Sequence, residues 1–304
     1  MDINREMFEI LPADEKVQNE IVRPSISYWQ DAWRRLKKNK LAIVSLIFII
    51  IITIMAIAVP AMSKFDYRTN NLDISNQLPS AEHWFGTDHL GRDMFVRVMF
   101  GARYSLIIAF VASLLNFIIG ILYGGISGYV GGTTDNLMMR VVDILYSIPM
   151  MIYVIIIMSI IGAGLFSIII ALAISYWLSM ARIVRGEVLQ LKQQEFVLAA
   201  KVLGASNWRI LLRHLIPNCI GPIIVTLTLL IPQAIFTESF LSFIGLGLSA
   251  PRASWGTLAS DAMQGLYVFP YQLLFPSLAI CFTILAFNLL GDGLRDSLDP
   301  RMRR

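Results

Sequence analysis

The densest cluster of groups able to ligate a metal or move a proton lies in HWFGTDHLGRD, where His83, Asp88, His89 and Asp93 fall within eleven residues. Their spacing fits no tight ligand pattern. Gly86-Thr87-Asp88 reads instead as a turn leading into a helix cap. Motifs for covalent or phosphate chemistry are missing. There is no GxxxxGK[ST] loop to cradle a nucleotide, no HExxH, no GxSxG and no nucleophile–base pairing. GLGLSAPRASWG (residues 245–256) carries glycines without the phosphate fingerprint and follows an apolar run, which makes it an outer loop. Cys219 and Cys281 are far apart in apolar sequence and offer neither a disulfide framework nor a metal spacing. The expectation is a chain with no catalytic residue, no metal site and no cofactor of its own.

The elements that would position any chemistry are membrane spans. Hydrophobic residues make up 56% of the 304 and charged residues 15%, where a soluble domain carries about a quarter charged. The net charge of +4 gives no basic stripe for nucleic acid and serves better to orient the chain in lipid. The N-terminus is acidic and polar, unlike a cleaved leader. Leu41–Met62 is uncharged and long enough for one span of about 20 residues. Arg34, Arg35, Lys37, Lys38 and Lys40 precede it and place a tail, residues 1–40, in the cytoplasm. Residues 63–103 then lie outside, with an interfacial helix leading into a second span at 104–124. A third and fourth share Val141–Ala181, broken at Gly162-Ala163-Gly164. The fifth covers Cys219–Ser239 and the sixth Leu273–Leu290. Six helices make an all-α membrane protein with residues 104–291 as a five-helix core. A second cytoplasmic tail, residues 292–304, carries four arginines.

Polar groups inside such spans are costly and therefore informative. Glu238 lies about 30 Å along a helix from Pro217, which is the far side of the bilayer. There it is either a solvated helix end or a substrate contact. Asn116 and Asn288 either bond between helices or line a path. Asp143, one turn from Arg140, reads as a local ion pair. Gly120, Gly124, Gly128 and Gly132 form a four-residue ladder. The first two suit close packing against a partner span, in a second subunit on one reading, and the last two suit a loop.

Residues 182–218 stay cytoplasmic in this topology, and within them EFVLAAKVLGASNWRILLRHLIPN is too polar to span. Phe196, Ala199, Ala200 and Leu203 make one apolar stripe. Gly204 suits a helix stop with positive φ, and Ser206 caps a second helix whose stripe is Trp208, Leu211, Leu212 and Leu215. Pro217 ends that helix or begins the next span. Such a hinged pair lies flat among lipid headgroups or enters a groove on another protein.

This segment resembles the coupling loop of ABC-importer permeases, with the motif Glu-Ala-Ala, three residues, Gly, nine residues, Ile-x-Leu-Pro. Ala199, Ala200, Gly204, Ile216 and Pro217 fall in register; Leu198 replaces the glutamate and His214 the first isoleucine. Glu195, one turn earlier, is in place to supply a comparable charge. HWFGTDHLGRDMFVRVMFGARYSL, ESFLSFIGLGLSAPRASWGTLASDA and GDGLRDSLDPR are similar to the C-type subunit of oligopeptide and dipeptide permeases. The resemblance implies a type I ABC-importer fold in the bacterial cytoplasmic membrane. It implies a heterodimer with a second permease subunit, two cytoplasmic ATPases holding ATP and Mg, and an extracytoplasmic peptide-binding protein. Glu195, Ala199, Ala200, Gly204, Ser206, Trp208, Leu212, Ile216 and Pro217 would couple to the ATPase, with Leu203 as a further anchor. Asn116, Glu238 and Asn288 would border the pathway. Related subunits serve nickel, opines or other small solutes. A secondary transporter, the rival class, would need midplane coupling-ion chemistry, and only Pro149 hints at a broken helix.

Overall fold

The computed structural model describes residues 27–298; the expectations for the remaining tail residues lie outside that range. Ser27 opens α1 (Tyr28–Lys38) with a capping box shared with Gln30. Asn39 ends α1 and caps α2 (Lys40–Met62) by accepting from the Ala42 N–H at 3.2 Å. With 23 residues, α2 is about 34 Å long, enough to cross the hydrocarbon. Ala32 and Leu36 are the buried side of α1, while Trp29 and Trp33 face outward.

Residues 63–93 carry one 3-10 turn, Leu72–Ile74, and are held by buried charge. Asp88 accepts from the Leu90 and Arg92 N–H groups at 2.9 Å each, from Arg92 Nε at 2.8 Å and from Arg97 Nη1. His83 Nδ1 lies 2.8 Å from Asp93 Oδ2, and the other Asp93 oxygen accepts from the Val96 N–H. The helix cap is therefore Asp93, five residues beyond its expected place. Asp88 and Asp93 are committed to pairing, and His89 faces outward. Tyr271 Oη donates to the Gln77 and Thr87 carbonyls at 2.8 and 3.0 Å, tying this segment to a later helix.

From Asp93 the chain enters α3 (Met94–Val130), a single helix of 37 residues. The expected lead-in forms the first turns of this helix, and its side chains pack into the protein: Val98, Met99, Ala102 and even Arg97 are buried. No proline interrupts Met94–Val130, and packed glycines carry the helix onward.

Gly131 at φ 72° turns the chain into α4 (Gly132–Ser147), which Pro149 separates from α5 (Met150–Ile161). The pair passes as one span only with an 83° bend. The run expected to hold the third span is thus bent between α4 and α5, as a broken span or a re-entrant loop, because the residue before a proline is pushed to extended backbone. Gly162 at φ 93° makes the expected break before α6 (Leu165–Leu191).

After α6 come α7 (Glu195–Val202), α8 (Asn207–Arg209), a π-helical stretch Ile210–Leu215, α9 (Ile216–Asn218) and α10 (Ile220–Leu241). A second π turn, α11 (Trp255–Ala262) and α12 (Tyr271–Leu298) complete the chain. Five helices are long and apolar enough to cross a membrane, and six with the bent pair. Among the described residues there is no named strand, only a bridge between Thr87 and Asp93. The all-helical expectation holds, and the six expected spans are reached when the bent pair counts as one.

The glycine ladder packs inside the chain and not on a second subunit. A Cβ on Gly120 would overlap Met180, one on Gly124 would meet the Ala181 backbone with its Cα at 3.0 Å, and one on Gly128 would sit 2.8 Å from the Arg185 carbonyl. Gly128 is therefore helix contact and not loop, whereas Gly132 is open, with nothing within 4 Å.

Candidate functional site

The stretch 195–218 forms the hinged pair its sequence describes. Gly204 stands at φ 76°, a conformation that penalises any Cβ, and the Ala205 N–H returns to the Ala200 carbonyl at 3.0 Å. Ser206 Oγ accepts from the Arg209 N–H at 3.3 Å and starts the second helix.

Each helix divides its apolar residues between two faces. Val197, Ala200, Ile210, Leu211 and Leu215 turn inward onto Ile121, Met180, Val184 and Val188 of α3 and α6. Phe196, Leu198, Val202, Leu203, Trp208 and Leu212 turn outward, with Leu203 86% and Trp208 57% exposed. The sequence stripes mixed these two sets. Glu195 and Ala199 lie on the exposed side, as do Gly204, Ser206 and Pro217, and Ile216 is half-buried. Pro217 does not end the second helix but stands in the first turn of α9, at the entry to α10. The π turn before it lets the Ile216 N–H reach the Leu211 carbonyl, and helix continues on both sides.

The pair is bolted to the spans by contacts the sequence reading missed. Tyr129 Oη donates to Asn207 Oδ1 at 2.8 Å, and Lys201 lies over the Tyr129 ring. Arg185 grips Asp135 with two bonds of 2.6 and 2.7 Å, Ser127 donates to the same carboxylate, and Lys192 donates to the Gly128 carbonyl at 2.8 Å. Asp135 and Arg185 lie in polar stretches, GGTTDN and RIVRGE, so neither stood out in the sequence; nothing flagged Tyr129. Asp143 pairs with Arg182 of α6 at 2.8 Å and not with Arg140. Tyr28, Gly221 and Leu298 meet at one end, where Tyr28 Oη donates to the Leu298 carbonyl at 2.9 Å.

Glu238 is not a solvated helix end. It is 0% exposed, accepting from Ser105 at 2.9 Å, Ser242 at 2.8 Å and Ser239 at 3.5 Å. Ser254 Oγ donates onward to Ser242, and the Trp255 N–H to Ser105. Together they stitch α3, α10 and α11. Asn116 is also fully buried, and neither end of its amide has a partner. Asn288 is half-buried on α12.

Comparison with known proteins follows the same outline. The family model for binding-protein-dependent transport system inner membrane components matches residues 118–304, and that for the N-terminal TM domain of oligopeptide transport permease C matches 27–79. The oligopeptide transport system permease protein OppC of Bacillus subtilis (strain 168) is 51% identical over 303 residues, 100% of this chain and 99% of its own. The dipeptide transport system permease protein DppC of the same organism is 49% identical over 300 residues, 98% and 94% of the two chains. OppC of Escherichia coli (strain K12) is 45% identical over 279 residues, 91% and 92%. Among solved structures, an inward-facing MetNI methionine ABC transporter chain superposes with a TM-score of 0.55 at 20% identity, covering 68% of this chain and 98% of that one; this likeness is one of fold.

Proposed function

The chain belongs to the binding-protein-dependent transport system inner membrane components, and from that premise we propose how it works as the permease subunit of an ATP-driven importer of oligopeptides or dipeptides. It is a transport permease and not an enzyme. A second permease subunit completes the pathway, two cytoplasmic ATPases hydrolyse ATP with Mg, and an extracytoplasmic binding protein delivers the peptide. The chain sits in the cytoplasmic membrane with both termini inside. The basic residues of α1 and the meeting of Tyr28 with Leu298 at the end of α12 support that orientation.

The observation that carries this reading is the two-faced pair around Gly204. Its outer face offers Leu203, Trp208 and Leu212 to an ATPase, and Ala199 and Gly204 allow close approach. Its inner face is packed into α3 and α6. Closure of the ATPase dimer then moves spans as rigid bodies, between two states biased by ATP and by the loaded binding protein.

The test is uptake of a labelled tetrapeptide by the host lacking this gene. Loss of uptake, restored by complementation, is the expected result. Unchanged uptake in a host with no redundant system would move the substrate to a metal chelate or another small solute.

A further inference from the structure

We propose that this chain's share of the peptide path is the cavity at the break between α4 and α5, where uncharged hydrogen-bonding groups take hold of the peptide backbone. The inference rests on the importer reading above and names the site that reading leaves open.

The cavity measures about 340 Å³, within the usual range for ligand pockets of about 300–1,000 Å³. Tyr146 and Tyr153 reach it from the two arms of the break, Ser175, Tyr176 and Ser179 from the middle of α6, and Gln233 from α10. Irregular backbone at membrane depth is tolerated only where protein or a wet cavity covers it. Here Tyr153 Oη donates to the Leu145 carbonyl at 2.7 Å and satisfies the end of α4. Tyr176 and Thr237 hydroxyls pair at 2.5 Å across α6 and α10.

Gln233 differs from its neighbours. It is exposed in the body of a span and its side-chain amide makes no hydrogen bond within the chain; the Ser179 hydroxyl makes none either. A primary amide left open in a lipid-depth segment is expensive unless something polar meets it. Of the residues the sequence offered for this role, Glu238 is used by serines and Asn116 is sealed in; Asn288 is half-buried on α12 and does not line this cavity.

The lining also fits the cargo. Peptides of varied sequence share only their backbone N–H and C=O groups. A glutamine amide and serine or tyrosine hydroxyls can each both donate and accept. No lining residue is charged. The ion pair Asp143–Arg182 adjoins the cavity, with Arg182 4.4 Å above the Tyr146 ring, and its charges are mutually satisfied. A neutral wall passes side chains of either sign and binds weakly enough to release them.

Two measurements in the host membrane test this, with all partner subunits present. In the first, Gln233→Leu and Ser179→Ala complement the deletion strain, and peptide uptake is followed against concentration. Neither change removes a bond internal to the chain. The maximal rate should fall about threefold to tenfold, the scale of one neutral hydrogen bond, with the half-saturating concentration and membrane abundance unchanged. In the second, Tyr153→p-benzoylphenylalanine is illuminated during transport of a radiolabelled tetrapeptide. Label on this chain is expected, and none when the probe replaces Ile118, exposed on α3. Wild-type kinetics in both variants together with no label at 153 overturns the proposal while importer function stands. A wild-type strain that imports no peptide overturns the importer reading first.

Discussion

At the scale of single residues, Gly204 and Glu238 make opposite demands. Nothing lies within 4 Å of a Cβ built on Gly204, so a large side chain is accommodated at the cost of a left-handed backbone, about 1 kcal/mol. Gly204→Trp should therefore insert and reach normal membrane abundance while transport is abolished, because the indole stands on the face proposed to dock the ATPase. Transport at the normal rate would refute docking through this face. For Glu238, the acceptors matter more than the charge. Glu238→Gln keeps a carbonyl oxygen for the serines and should unfold near the wild-type temperature in detergent. Glu238→Leu leaves buried hydroxyls without an acceptor and should lose about 2–4 kcal/mol, read as a lowered thermal midpoint. The residue type at 204 was legible because only a turn needs glycine there. Glu238 was misread because its serines come from three separate elements, and no spacing in the sequence brings Ser105 to Ser254.

Helices and their contacts are the next level. The α3–α6 contact rests on missing side chains, so Gly124→Ala should cost about 1–3 kcal/mol through overlap with the Ala181 backbone. Gly186→Ala, in the same contact partner but with nothing within 4 Å, should be neutral or stabilise by up to about 1 kcal/mol through helix propensity. Thermal unfolding of the two variants in detergent separates packing from propensity. The segment 63–93 is held differently. Burial opposes ionisation of Asp88, yet the charges of Arg97 and Arg92 and the Arg92 N–H outweigh it and keep the carboxyl below the usual aspartate range. A depressed folded value stabilises the ion form: the contribution is whole above the unfolded pKa and disappears as pH falls through the folded one. Protease resistance of this segment should hold from neutral pH to about pH 4 and fail below it, and Asp88→Asn should remove that acid step. Element existence was readable from apolar runs. Continuity was not: α3 runs through five glycines because each of those glycines has a neighbour to fill its place or tolerates its absence, and the proline at 149 bends a run that hydropathy alone leaves straight.

For the whole molecule, the matched core and the N-terminal addition are separable in sequence but not in packing. Ala42 sits where a Cβ on Gly293 of α12 would fall, and Ile49, Ile52 and Ala56 of α2 join the main core. A chain beginning at Ser63 should still insert, with its thermal midpoint in detergent lowered by several degrees; an unchanged midpoint would mean α2 is only an anchor. The glycine contacts between α3 and α6 carry a further consequence. Where backbones touch without intervening side chains, there is no soft layer to absorb a push, and protein interiors are poorly compressible. The two helices behave as one beam, with the Gly204 pair mounted at one end and the α4–α5 elbow beside its middle. A beam transmits small displacements without loss but cannot be tuned by degrees. An importer built on it should switch between few, well-separated positions, and substitutions that loosen the beam should uncouple ATP consumption from transport before they stop either one.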